Sequence, residues 1–491
     1  MPDPIHPGNI TFDISFRKSP SPSAVDAAAP LRIAILGSFS GRADADAGRA
    51  LRVDCDNFGS VCTQFGASLH LPPCSEGTAD IDIAFGHLDD FHPDHLLQTV
   101  PALKGLADLR ARLLNPGTAA AAATELRGIF RGGATTTPGM PEASQPESTD
   151  DTLARLLGRP ASKPSAPAGP KSIVEQLIKQ AVSPSIVPAP APEQSSLLAL
   201  LDSEIATRLR RILHQPDFQA LESTWRGLDF LVREAGDEVK LHAIDISREE
   251  LDRQLAALDN PAATRIGREL GQLAPAVMLG AFSFGMADAD ALARIARLAA
   301  ACGTAFIGGA RPEMIGCSSL ASQPNPLDWA ETGEADLKAF SDLRRAPESS
   351  RIGLALPRFL IRQPYGKESD PIQTLPFEEL PPTDSHECYL WANPAFLCGH
   401  RLLDSFAADG WDMELGGAGG EIGGLPVHSF RTGAEKETKP CAEAWLSEKA
   451  ADAILARGPM PVLSVRGRDS VLLVSLRSIA DPARPLAFRA G

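Results

Sequence analysis

The chain has 491 residues, a formal net charge of −15, 43% hydrophobic residues and only 5% aromatic ones. That length allows roughly two to four domains and a large core, which must lean on Leu, Ile, Val and Ala. The acidic balance works against nucleic acid and anionic membranes as partners, and no run approaches the roughly 20 apolar residues of a membrane-spanning helix.

The N-terminal stretch MPDPIHPGNITFDISF lacks the basic region and apolar core of a secretory signal, which predicts a cytoplasmic protein. Within it Ile10–Ser15 alternates apolar and polar residues, a strand pattern with Ile10, Phe12 and Ile14 on one face. Lys18–Ala29, rich in Ser, Pro and Ala, reads as a tether. Leu31–Phe39 is a stronger strand, and Leu69–Leu71 and Ile81–Phe85 are shorter ones. Leu96–Leu114 carries leucines at helical spacing, and Thr118–Phe130 reads as a second helix. Composition then shifts. Residues 132–170 are dominated by Gly, Ala, Thr, Pro and Ser, too poor in large apolar groups to offset the entropy of ordering, and are expected to be a disordered linker.

Lys171–Val182 is a short amphipathic helix with Ile173, Val174, Leu177 and Ile178 on one side. A proline-rich connector to residue 194 follows, so this helix is expected to be displayed rather than built into a core. Ile212–Val232 opens in a helix, breaks at Pro216 and restarts with Phe218, Leu221, Trp225, Leu228 and Leu231 on one face, leaving Glu222, Arg226 and Arg233 for a polar face. Beyond it, strand-like runs (240–246, 276–284, 304–309, 352–356, 471–476) alternate with helical ones (248–258, 288–301, 395–407, 443–456). That alternation argues a mixed α/β fold.

Candidate chemistry is sparse. Cys62, His70 and Cys74 lack the paired spacing of zinc sites. His92 and His95 flank a proline at a typical first helical position and read as a turn into a helix. The glycine cluster Gly416–Gly424 has neither a phosphate-loop ending nor a strand–helix setting, and reads as a surface loop. Ser385–Cys388 sets a histidine beside a thiol, but neighbours in an extended segment point to opposite faces. Arg351, Arg358 and Arg362 are expected to pair with carboxylates such as Glu378 and Glu379, or to bridge protomers. The eight scattered cysteines are expected to be reduced and buried. No cofactor, metal or catalytic residue is predicted.

Three sets of blocks carry a family resemblance. Ile212–Val232, then RIGLALPRFLIRQPYG (351–366), YLWANPA (389–395), SFAADGW (405–411) and GGLPVH (423–428) resemble the large subunit of the type VI secretion contractile sheath. VDCDNF (53–58) and LDDFHP (88–93) resemble the small subunit, so both subunits stand fused in one chain, small before large. The resemblance implies a sheath-like multidomain α/β protein: an N-terminal strand arm and tether (1–30), a small-subunit-like domain (31–131), a linker (132–170), the displayed helix and connector (171–194) and a large-subunit-like region (195–491). It implies a helical homo-polymer around an inner-tube protein, attached to a baseplate, whose contraction drives effector delivery. Ile10, Phe12 and Ile14 would be donated to a neighbour's sheet. Ile173, Val174, Leu177 and Ile178 would dock an AAA+ unfoldase. Phe58, Phe91, Phe218, Trp225, Arg358, Arg362, Trp391 and Trp411 would serve core and assembly. A sheath-fold regulatory or capping module, and a hydrolase, are the alternatives.

Overall fold

The computed structural model describes residues 29–42, 48–73, 80–132, 192–330, 333–380, 386–413, 420–432 and 435–487. The predicted arm (Ile10, Phe12, Ile14) and displayed helix (Ile173, Val174, Leu177, Ile178) lie outside the described residues.

In chain order the strands are β1 (Leu31–Gly37), β2 (Ala50–Val53), β3 (Ala67–Leu71), β4 (Ile81–Phe85), β5 (Val239–Asp245), β6 (Val277–Phe284), β7 (Ala305–Ala310), β8 (Ile352–Leu356), β9 (Phe359–Leu360), β10 (Trp391–Ala392), β11 (Glu421–Ile422), β12 (Ser429–Thr432), β13 (Glu435–Thr438), β14 (Met460–Ser464) and β15 (Val471–Leu473). The helices are α1 (Phe58–Phe65), α2 (Pro93–Thr99), α3 (Pro101–Leu114), α4 (Ala119–Gly132), α5 (Pro192–Leu213), α6 (Pro216–Glu234), α7 (Arg248–Ala257), α8 (Arg265–Leu273), α9 (Ala289–Cys302), α10 (Glu334–Arg345), α11 (Ala395–Asp409) and α12 (Glu448–Arg457).

Nine strands make one mixed sheet in the order β11-β15-β14-β8-β7-β6-β1-β5-β2. β1 is the informative member. Its sequence, LRIAILG, is a near-continuous aliphatic run, the signature of a parallel strand covered on both faces. It pairs parallel to β5 from Leu31↔Val239 to Gly37↔Asp245, and parallel to β6 from Ile33↔Val277 to Leu36↔Gly280. β5 and β6, consecutive in the later part of the chain, are thus held apart by a strand from near the beginning. β2 adds antiparallel to the outer side of β5, and β14, β15 and β11 finish the far end with antiparallel pairs.

Side chains alternate across the strands and feed two apolar layers. On one face Ala34, Leu36, Ile244, Met278, Phe306 and Leu354 pack with residues of α7, α8, α9, α10 and α12. On the other, α6 and α11 lie together. An added Cβ on Gly227 of α6 would meet Phe396 of α11 at 2.3 Å, and one on Gly399 of α11 would meet Leu279 of β6 at 2.5 Å. These two glycines set how closely the helices approach each other and the sheet.

The described residues up to Leu103 together with those from Ala206 onward form one compact unit; the described residues between Lys104 and Ile205 form another. In the second unit Leu106, Leu109, Leu113, Ala122, Leu126, Leu201 and Ile205 are buried. Arg110 pairs with Asp202 (2.6 Å), Arg112 pairs with Glu125 (2.8 Å), and Gln194 donates to the Leu113 carbonyl (2.6 Å).

Several sequence readings are corrected. Leu96–Leu114 is two helices, because Pro101 forces Val100 into an extended conformation (φ −77°, ψ 115°) and ends α2. Part of the Gly416–Gly424 stretch is a strand: Glu421 and Ile422 pair with β15. His386–Cys388 forms a helical turn rather than an extended segment. β2, β9, β10, β12, β13 and β14 are strands that the sequence patterns above do not mark. Among the described residues no helix is long and apolar enough to cross a membrane.

Ile35 is fully buried in β1. Ile35→Ala is expected to lower the unfolding free energy by about 2–5 kcal/mol in urea titrations followed by tryptophan fluorescence; a loss well under 1 kcal/mol would place β1 outside the core.

Candidate assembly core

Helix α6 carries the first part of the site. Pro216 sits at its first turn, as the sequence predicts, and Phe218, Leu221, Trp225, Leu228 and Leu231 are all buried. The Trp225 indole N–H donates to the Phe39 carbonyl at 2.9 Å, just past β1. Its ring meets Phe39 (5.1 Å) and the partly exposed Phe58 (5.7 Å) edge-on. Phe218 packs edge-on against Phe91 (5.6 Å), which stacks on Phe85 (4.2 Å). So one helix face gathers aromatics from the segment just after β1, from α1, from β4 and from the turn before α2, all in the early part of the chain.

The polar face of α6 differs from expectation. Glu222 is fully buried. It is kept there by charge pairing: Arg362 Nε lies 2.8 Å from Glu222 Oε1, and Arg226 Nε approaches the same oxygen at 2.8 Å. Arg362 also forks onto Glu379 (2.7 and 2.9 Å), as the sequence predicts, and stacks over the Tyr365 ring at 4.3 Å. The Tyr365 amide donates to Glu379 Oε2 at 2.7 Å. Burial alone would raise the Glu222 carboxyl; the Arg362 and Arg226 guanidiniums outweigh it and hold it below the ordinary range. Burial likewise opposes the charged form of Arg362, but Glu222 and Glu379 keep it firmly protonated. Glu378 does not join. Its carboxylate accepts from the Lys367 amide and its carbonyl from Arg210.

Arg358 forms a second hub. Glu443 accepts from its backbone N–H (2.9 Å), its Nε (2.9 Å) and its Nη2 (2.5 Å), while His386 Nε2 lies 3.1 Å from the same carboxylate. Glu443 has φ +33°, a conformation that costs a non-glycine residue energy and persists only where surroundings fix it. Its buried carboxyl would rise with desolvation; the hydrogen bond from His386 and the charge of Arg358 bring it below the usual range. Trp391 stacks on His386 (4.8 Å) and donates its indole N–H to the His386 carbonyl. Trp411 donates to the Ala29 carbonyl at 2.7 Å, fixing the point from which the N-terminal residues depart. Arg351 donates to the carbonyls of Thr304 and Ala487.

The remaining candidates are structural. His92 caps α2, its Nδ1 accepting from the Asp94 amide. Asp94 in turn accepts from the amides of Gln373 and Thr374 (2.9 and 3.0 Å), a clamp that the sequence signalled only as a carboxylate in a helix's first turn. His70 turns away from Leu69 and Leu71 and bonds Asp82 at 2.8 Å. Cys62 is buried, its thiol pushed up to about 12 by burial and by Asp90; Cys74 lies outside the described residues. A cleft of about 940 Å³ opens where β1, β5 and β6 end, and its titratable side chains include His70 and Arg248. Both are engaged, His70 with Asp82 and Arg248 with Asp252 and Asp288. Among the described residues no group of three His, Cys, Asp or Glu side chains is placed to hold a metal ion.

The family model described as EvpB/VC_A0108, tail sheath N-terminal domain, matches residues 195–480, more than half of the chain. The chain belongs to this type VI secretion tail sheath family. A second model, described as type VI secretion system, VipA, matches residues 10–130, so small-subunit and large-subunit sheath domains share one polypeptide. The type VI secretion system sheath protein TssC1 of Pseudomonas aeruginosa is 31% identical over 306 residues, covering 59% of this chain. The chain spans 61% of that relative's length. Set on the sheath domains, the contacts above acquire a boundary: β1, Phe39, Phe58 and Phe91 come from the small-subunit match, and α6, Arg358 and Arg362 from the large-subunit match.

Removing Arg362 would leave Glu222 buried with Arg226 as its remaining cation. Arg362→Met is expected to cost about 3–5 kcal/mol at neutral pH. Because the folded Glu222 and Glu443 carboxyls lie below their unfolded values, their stabilisation is present above the ordinary carboxylate range and lost as pH falls through the folded values. Urea titrations from pH 7 downward should therefore show the wild type weakening on acidification and the Arg362→Met deficit shrinking; a deficit that widens at low pH would contradict this charge assignment.

Proposed function

We propose that this chain is a sheath protomer joining small-subunit and large-subunit domains, which polymerises helically around an inner-tube protein, engages a baseplate, and contracts in the cytoplasm to drive effector delivery. The observation that carries the reading is the shared sheet. A strand from the small-subunit domain is locked between two strands of the large-subunit domain, the build of a rigid block able to transmit force. The titratable groups described above are committed to structural pairs, which suits a mechanical rather than catalytic protein.

On this reading Ile10, Phe12 and Ile14 are donated to a neighbouring protomer's sheet, an exchange that needs only an open edge and a tethered strand. Contraction then follows from the lattice. Each protomer gains a little contact free energy in the compact arrangement, and the gains add along the cylinder while the donated strands keep neighbours linked. Ile173, Val174, Leu177 and Ile178 present a helix face to an AAA+ unfoldase. Fusing the two domains fixes their ratio and raises their effective concentration for each other.

Negative-stain imaging of the expressed chain, alone and with an inner-tube protein, tests this. Tubular particles are expected for the wild type and should be lost in the triple variant Ile10→Asp, Phe12→Asp, Ile14→Asp. A wild-type chain that stays monomeric and terminates genuine sheaths would replace the reading with a capping role.

A further inference from the structure

Three cations meet on one face of the shared sheet, at the end where β1 and β5 begin. Arg32 of β1 is the register partner of Lys240 of β5. Two residues further along β5, His242 is the register partner of Arg52 of β2. Residues two apart in a strand share a face, so all four side chains lie on the side that carries Ala34, Leu36 and Ile244. Neighbouring strands stand about 5 Å apart, which sets like charges directly beside one another.

Such a grouping is unfavourable unless something offsets it. Carboxylates are plentiful in a chain with 62 acidic and 47 basic residues. Yet among the described residues neither Arg32 nor Lys240 is ion-paired to one. The acids on adjoining segments are already used. Glu269 of α8 accepts from the Ala50 amide at 3.0 Å. Asp54 accepts from the Asn57 amide at 3.1 Å and reaches Arg52 at 3.7 Å, on an open surface where solvent weakens the pair. Arg32 and Lys240 are half-buried, so water screens them less than it screens exposed charges. His242 lies among the cations, its Nδ1 buried without a hydrogen-bond partner. Burial first, and then the charges of Arg52, Arg32 and Lys240, hold its imidazole below the ordinary range and keep the ring neutral at pH 7.

We infer that Arg32, Lys240 and Arg52 form a binding site for a small multivalent phosphate, held across the three strands. Two guanidiniums offer planar forks to phosphoryl oxygens, and the ammonium on the strand between them supplies a compact charge. A single carboxylate would neutralise one of the three cations; linked phosphoryl groups carry several charges in one compact ligand. The overall charge of −15 does not oppose this, because the field that a small ion meets is local. The consequence is structural. β1 and β2 come from the small-subunit match and β5 from the large-subunit match. A bound phosphate therefore ties strands of both domains and stabilises their shared sheet by mass action.

Urea titrations of the full-length chain test this, with sodium pyrophosphate, ADP or sodium chloride at matched ionic strength. Pyrophosphate is expected to raise the unfolding midpoint saturably, and chloride is not. An equal shift with chloride would mean general screening and would overturn the site. ADP separates two sources of the same chemistry: a response matching pyrophosphate assigns free condensed phosphate, and tighter binding of ADP assigns a nucleotide. In calorimetry the double variant Arg32→Gln, Lys240→Gln should weaken pyrophosphate binding by about tenfold or more. It should also raise the ligand-free midpoint, because it relieves like-charge repulsion. Unchanged affinity, or a ligand-free midpoint that falls, would overturn the assignment. Lys240→Arg keeps the charge and should retain binding, and Arg345→Gln, an exposed cation on α10, should change neither reading. If the double variant does not fold, Arg52→Gln, with its side chain 58% exposed, carries the same affinity test.

Discussion

Strand β1 is the contact on which the rest of the molecule depends. Leu31–Gly37 is bonded on both sides to strands that arrive some two hundred residues later, and its side chains fill both apolar layers. Without it β5 and β6 would each present an open edge in the middle of the protein, with unpaired backbone groups and exposed aliphatic surface. The small-subunit and large-subunit sheath domains are therefore one folding problem. Trp225 repeats the point at side-chain level: its indole bonds the carbonyl of Phe39, just beyond β1, and its ring sits among Phe39, Phe58 and Phe65.

The charged residues serve the same end. Glu222, Arg362, Glu379 and Arg226 tie α6 to the segment after β8, and Glu443 ties Arg358 and His386 together at the cost of an unfavourable backbone angle. Buried pairs of this kind add little net stability over an apolar core, but they penalise any arrangement in which one partner is missing. Such all-or-none contacts resist partial slippage, a property that fits the sheath role proposed above.

Much of this was legible in the residues. The aliphatic run of β1, the helical face of α6 with its break at Pro216, and the alternation of later strands and helices are periodic signals that local sequence carries directly. What escaped was long-range or short. Glu222 read as a solvent-facing residue because its spacing is polar, and only the arrival of Arg362 from a distant segment explains its burial. β12 and β13 are four residues each and carry charges that mask a strand pattern. Pro101 was hidden within an uninterrupted leucine period, yet its effect on Val100 divides the helix. The insertion of β1 between β5 and β6 had no local signal, since parallel pairing leaves no mark on the sequence beyond burial. The placement of the site residues follows the same division: Phe218 and Trp225 carry a helical period and Phe91 lies in the LDDFHP block that resembles the small subunit, while nothing local marks the partners of Arg358.

Hydrogen exchange followed residue by residue measures this most directly. The amides of Leu31–Gly37 should exchange as slowly as those of Val277–Phe284, both at the rate set by global unfolding, and should accelerate together when the protein is destabilised. Rapid exchange of Leu31–Gly37 while Val277–Phe284 remains protected would mean that the small-subunit strand is a peripheral addition, and the account of a single shared sheet would fail.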